Sequence, residues 1–172
     1  MSTSGSTDFE PNVAEFVEEA FERCGLELRT GYDLKTARRS INLMLAEWAN
    51  RGLNQWTIEQ ATQTVTEGQN DYTLNANIID ILDCSIRRNT NGTDLDLQMS
   101  RISRSEYLNI PTKSTKSRPS QFFLDKSNTP VLKIWPSPEN STDILVFNKI
   151  VRMFDADKAK NTMDMPFRFY PC

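Results

Sequence analysis

The chain reads as an α+β protein: an N-terminal helical hairpin or bundle followed by an antiparallel β-sheet or small β-sandwich. Three observations predict this. Apolar residues recur at helical spacing before Gly52. Beyond it the period falls to about two, and short apolar runs alternate with turn-forming clusters. Asn91-Gly92 lies between two of those runs, the strongest short-range signal for a β-hairpin.

The clearest element spans Leu34 to Gly52. Leu34, Ala37, Ile41, Met44, Leu45 and Trp48 make one apolar face, and Lys35, Arg38, Arg39, Asn42, Glu47 and Arg51 fill the wet side. Asp33 stands at the expected N-cap and Gly52 at the expected left-handed stop. An earlier helix runs from Pro11 to Cys24. Val13, Phe16, Val17, Ala20, Phe21 and Cys24 form its stripe, Pro11 suits the first helical position, and Gly25 ends it. Neither helix is long enough to persist alone in water, so the two stripes are expected to pack together. The helical core is assigned to Phe16, Phe21, Ile41, Met44 and Trp48, with Val17 beside them. Cys24, on the stripe, is expected to be a buried structural thiol.

Strands are expected over 56–66, 71–74, 78–88, 95–99, 121–124, 131–135 and 143–152. Ser103-Arg104-Ser105-Glu106 has the form of a capping box and predicts a helical turn that Pro111 stops. The stretch 112–119, TKSTKSRP, reads as a long basic loop. The expected organisation is an arm at 1–10 ordered only against a partner, a helical part at 11–55, a β-rich domain at 56–155, and a C-terminal segment at 156–172 that returns to the helical part.

Composition removes many functions. There is no histidine among 172 residues, so Ser-His-Asp and Cys-His nucleophiles are impossible and most zinc sites are unsupported. Three widely spaced cysteines with no CxxC pair suit reduced thiols. Six scattered glycines make neither a GxGxxG nor a Walker loop. No apolar run approaches the length of a spanning helix, and the small polar N-terminus lacks the features of a signal peptide. No catalytic residue, metal ligand, cofactor or membrane partner is expected. Paired carboxylates, as in a wall-degrading hydrolase, stay formally open, but no spacing singles out a pair.

Charge is arranged in blocks. Residues 53–100 carry seven acids against two bases, and 101–135 carry two against seven. Such blocks suit a protein whose faces meet complementary faces, copies of itself included. Arg101, Arg104, Lys113, Lys116 and Arg118 are therefore candidate interface residues. Phe167, Phe169 and Tyr170, in an aromatic run near the C-terminus, join them as docking candidates.

The runs ARRSINLMLAEWANRGLNQWT at 37–57, DYTL at 71–74 and IIDILDCSIRR at 78–88 resemble a bacteriophage family. So do ISRSEYLNIPTKSTKSRPSQFFLDKSNTPVLKIWPSP at 102–138 and MPFRFYPC at 165–172. The family is the head-to-tail adaptor group, which includes the tail tubular A proteins of short-tailed phages. The resemblance implies a structural, non-enzymatic protein of the virion, assembled in the host cytoplasm. It implies a ring, commonly of about twelve copies, that sits beneath the portal protein and extends the DNA channel. Tail nozzle and fibre proteins would contact its lower face, and DNA would pass without sequence-specific binding. Family members continue past the position of Cys172 with helices that pack on the N-terminal pair, so the helical part of this chain is expected to be truncated. The competing reading is a tail or baseplate component with a receptor- or sugar-binding sandwich, which would cluster exposed aromatics on one sheet face.

Overall fold

The computed structural model describes residues 10–27, 31–53, 56–163 and 165–166. The chain divides into two compact units, one formed by 1–56 with 153–172 and the other by 57–152. The fold is α+β, helices first and antiparallel-rich sheets after them.

In the first unit, α1 spans Val13–Arg23 and α2 spans Gly31–Asn50. The N-cap of α1 is Asn12, not the residue before Pro11. Its side chain accepts from the Glu15 amide while the Glu15 carboxylate accepts from the Asn12 amide, a reciprocal box that places Pro11 outside the helix. The first free amides of α1, Val13 and Ala14, donate to the carbonyls of Asn161 and Ala159, both at 3.0 Å. Both helices end in the same way. Leu26 donates to Phe21 and Gly25 to Glu22 after α1, and Leu53 to Trp48 and Gly52 to Ala49 after α2. These are paired Schellman bonds, and they require the left-handed φ of +70° at Gly25 and +79° at Gly52. Gly52→Ala is accordingly expected to cost about 1 kcal/mol through strain rather than crowding, since a Cβ there meets nothing within 4 Å. Thermal unfolding followed by helical circular dichroism checks it, and an unchanged midpoint would contradict it.

Three expectations about this unit need correcting. Asp33 lies inside the first turn of α2, because the helix already begins at Gly31. Cys24 is exposed, because it is the C-cap residue and has left the helical stripe. Met44 is exposed, while Phe16, Phe21, Ile41 and Trp48 are half-buried. The deeply buried apolar side chains are Val13, Val17 and Leu45, with Met153 and Ala156 from the returning segment. That segment explains the shift. Asn42, assigned to the wet side of α2, accepts from the Ala156 amide at 2.8 Å, and the Arg38 guanidinium donates to the Asp157 carbonyl. Backbone polar groups of 156–157 need partners, so they dock on the polar flank of α2.

The second unit holds two four-stranded sheets. In one the order is β1 (Ile58–Thr64), β8 (Ile144–Val151), β3 (Ile78–Thr90), β4 (Thr93–Gln98), all antiparallel. In the other it is β2 (Asp71–Thr73), β7 (Val131–Trp135), β6 (Gln121–Asp125), β5 (Ser100–Arg101), with only β5 and β6 parallel. Alternate residues of both sheets fill one shared core: Ile81, Ile86 and Leu145 from the first, and Phe122, Leu132 and Ile134 from the second. Asn91 and Gly92 turn the β3–β4 hairpin with φ of 54° and 80°, as a type I′ turn requires. The expected dry face of β4 is only partly dry. Met99 just past the strand is buried and Leu97 half-buried, but Leu95 is exposed, because β8 ends at Ile144 opposite Arg87 and the hairpin tip projects past it. Cys84 is buried in the core, where desolvation pushes its thiol up to about 12, so it stays protonated.

Candidate interaction surface

The basic segment is the most distinctive surface of the second unit. Its centre is the helix α3 (Arg104–Asn109), started by the capping box between Ser103 and Glu106. Tyr107 on α3 is buried and stacks on Phe123 of β6 with ring centroids 5.8 Å apart. The Arg104 guanidinium lies over the Phe123 ring, 5.9 Å from its centroid, and forms an ion pair with Asp125. The Lys113 ammonium lies 5.5 Å from the Tyr107 centroid and donates to the Ile110 carbonyl at 3.1 Å, where a cation suits the end of a helix.

The loop that follows is stitched down. The Thr112 carbonyl accepts from the Trp135 indole, and the Lys113 carbonyl accepts from Asn70 and Ser137 side chains. Ser137 also exchanges backbone bonds with Thr115 and Ser117, both at 2.9 Å. Residues 112–117 therefore form a strap across the strand ends, and its length serves the fold as well as the surface.

Most cations of the segment meet acids of the same chain, while Lys113 donates to the Leu108 and Ile110 carbonyls. Arg101 pairs with Asp80 at 2.8 Å and donates to the Ile81 carbonyl, Lys116 pairs with Glu67 at 2.6 Å, and Lys126 reaches the second oxygen of Asp80. Burial raises Asp80, but its bonds from Lys126 and Arg101 outweigh that and leave it below the ordinary carboxylate range. Arg118 is exposed and pulls through space on Asp143. The acidic block 53–100 and the basic block 101–135 thus find each other first within one subunit. Charge counting showed that the blocks are complementary; it could not show that the partner is internal. Any neighbour that uses Arg101, Arg104 or Lys116 competes with pairs already formed. The other candidate residues, Phe167, Phe169 and Tyr170, lie outside the described residues.

Sequence reasoning missed the tightest charged cluster. Arg88, near the end of β3, makes a two-pronged contact with Asp143, whose side chain is only 3% exposed, and also reaches Glu139 at 2.9 Å. Asn140 donates to the same carboxylate. The only local signal was an acid, Asp143, immediately before a strongly apolar strand. Among the described residues, no group of His, Cys, Asp and Glu could hold a metal ion.

An apolar groove lies beside α3, lined by Ile102, Ile110, Pro111 and Trp135 with Glu106 and Gln121. The large exposed aromatics among the described residues, Tyr32 and Phe154, belong to the first unit. The sandwich therefore lacks, among its described residues, the exposed aromatic platform that sugar binding would use.

No curated protein sequence matches the chain. A family model described as SU10 adaptor protein matches residues 11–170, which takes in both units and every element of the fold. The chain belongs to the SU10 adaptor protein family, phage head-to-tail adaptors that are structural components of the virion and interact with portal and tail.

Proposed function

We propose that this protein is the subunit of a ring that joins the portal to the tail and prolongs the DNA channel. The observation that carries the reading is the family match over 11–170, nearly the whole chain. A ring subunit must offer two different, complementary sides, since head-to-tail contacts are heterologous. The fold supplies distinct surfaces: the strapped basic face around α3 and the acidic outer side of α1, where Glu15, Glu18, Glu19 and Glu22 are exposed. An acidic surface suits a duct that DNA traverses without adhering. Tail nozzle and fibre proteins are the expected neighbours below, and the role is structural rather than catalytic.

Mass measurement of the purified particle tests the reading. A single closed species of about twelve subunits of 19.7 kDa is expected. A chain that stays monomeric alone and with its portal would sink it. The basic segment is assigned a supporting role in assembly. Reversing Lys113, Lys116 and Arg118 together is expected to weaken assembly, with added salt acting on the wild type in the same direction. Each exposed pair contributes only ~0–1 kcal/mol, and the intrachain partners reduce that further, so a single reversal is expected to do little. Sedimentation with the portal checks this, and unchanged assembly of the triple variant at low salt removes the segment from the interface.

A further inference from the structure

We infer that the sheet β1-β8-β3-β4 continues into a neighbouring copy, with β1 of one subunit pairing β4 of the next. The inference rests on the ring reading and names the contact that would close it.

The two sheets treat their edges differently. The edges of the second sheet are β2 with three residues and β5 with two, too short to template another strand. The edges of the first are β1 with seven residues and β4 with six. Ten of their thirteen residues are exposed and none is buried, and among the described residues no strand pairs with their outer sides. Soluble proteins ordinarily guard such edges with lysine, proline or a bulge. IEQATQT and TDLDLQ contain neither lysine nor proline, their acids Glu59, Asp96 and Asp94 are engaged by Lys149, Arg87 and Asn89 of the same sheet, and both strands pair with their single neighbour without a shift of register. The bulges of this sheet lie in the pairing of β3 with β8, away from both edges.

Direction makes the two edges fit. Four strands alternating antiparallel leave β1 and β4 running in opposite senses. Two copies placed side by side in the same orientation therefore bring β1 against β4 antiparallel, with no inversion of either subunit. The contact can therefore repeat head to tail, whereas a sheet with an odd number of strands would meet its copy in the slightly less stable parallel sense. Matched lengths give a shared ladder of about 20 Å.

Side chains agree with this pairing. Ala61 packs on the core, so Gln60, Thr62 and Thr64 share the opposite face of β1. Leu97 likewise packs on the core, which puts Asp94, Asp96 and Gln98 on the opposite face of β4. Across the junction, hydroxyl and amide donors of β1 would meet carboxylates of β4. The one acid of β1, Glu59, lies on the other face and already pairs with Lys149, so no like charges are brought opposite each other. Leu95, now 51% exposed, would be covered on the core side next to Ala61 and Gln63.

The test compares hydrogen exchange of the wild-type assembly with that of the double variant Thr62→Lys, Leu95→Lys, which installs an edge guard on each strand. Mass measurement runs alongside. Peptides covering β1 and β4 are expected to exchange at least tenfold more slowly in the assembly than in the same protein diluted to monomer. The double variant is expected to assemble at least tenfold more weakly while keeping the wild-type unfolding midpoint. Rings whose β1 and β4 peptides exchange as fast as the monomer's overturn this inference and leave the ring standing. A wild-type chain that never assembles overturns both, and the mass reports which has failed. If the variant misfolds, the wild-type dilution series decides alone.

Discussion

Phe122→Ala is expected to destabilise the β unit by about 3–5 kcal/mol, the range for deleting a large aromatic from a core that cannot collapse around the hole. Phe122 is 1% exposed and lies opposite Ile134 in the β6–β7 ladder. Its ring belongs to the core that both sheets share, so the cavity would be lined by two layers at once. Neither layer can close it alone, because β6, which carries Phe122, is held in register between β7 and β5. The comparison is Leu95→Ala on the projecting hairpin tip, where half of the side chain is already in solvent and the expected change is within about 0.5 kcal/mol. Urea unfolding measures both, with the midpoint falling and the slope unchanged. A loss below about 1 kcal/mol at Phe122 would show that the two sheets can move together to fill the space, contrary to a shared rigid core.

Local features of this fold were legible because they are written in neighbouring residues. The capping box at Ser103 and Glu106, the Asn91-Gly92 turn, and the glycines that stop α1 and α2 act over a few positions, and each stands where the residue pattern places it. The strands β3, β4, β6, β7 and β8 follow because alternation and turn clusters are also local, whereas the two-residue β5 is too short to leave a pattern. Asn12 shows the limit. Pro11 suits a first helical position, but Asn12 with Glu15 satisfies two amides at once, and that local competition moved the helix start from Pro11 to Val13.

What was not legible is what depends on distant partners. Strand order β1-β8-β3-β4 brings the last strand between the first and third, and no periodicity encodes that. Asn42 and Arg38 read as wet because the chain segment that engages them lies more than a hundred residues away. The basic residues around α3 read as an interface for the same reason: Glu67 and Asp80, which engage Lys116 and Arg101, are remote in sequence. Family resemblance bridges this gap for function but not for residues. It identifies an adaptor while leaving the contacts of each side chain to geometry.

Asp143→Asn is expected to cost about 3 kcal/mol near neutral pH, because it leaves the Arg88 guanidinium without its nearest counter-charge in a largely dry site. The full cost of breaking a buried pair is reduced here, since Arg88 is a quarter exposed and keeps Glu139. The pH dependence separates this ion pair from simple packing. Burial alone would raise Asp143, yet hydrogen bonds from Arg88 and Asn140, with the charges of Arg88 and Arg118, hold it below its ordinary value of 3.8. A carboxylate whose folded value lies below its unfolded value stabilises the fold fully at pH above the unfolded value. That contribution is lost as pH falls through the folded one. The stability difference between wild type and Asp143→Asn should therefore be constant above about pH 5 and shrink steadily on acidification below about pH 4. Other carboxylates held low, such as Asp80 and Asp96, titrate in both proteins and cancel in the difference. Paired urea titrations from neutral pH down to the acid limit measure it. A difference that stays flat across the acid range would mean that Asp143 contributes shape and hydrogen bonds but not charge. Arg88 would then owe its position to Glu139.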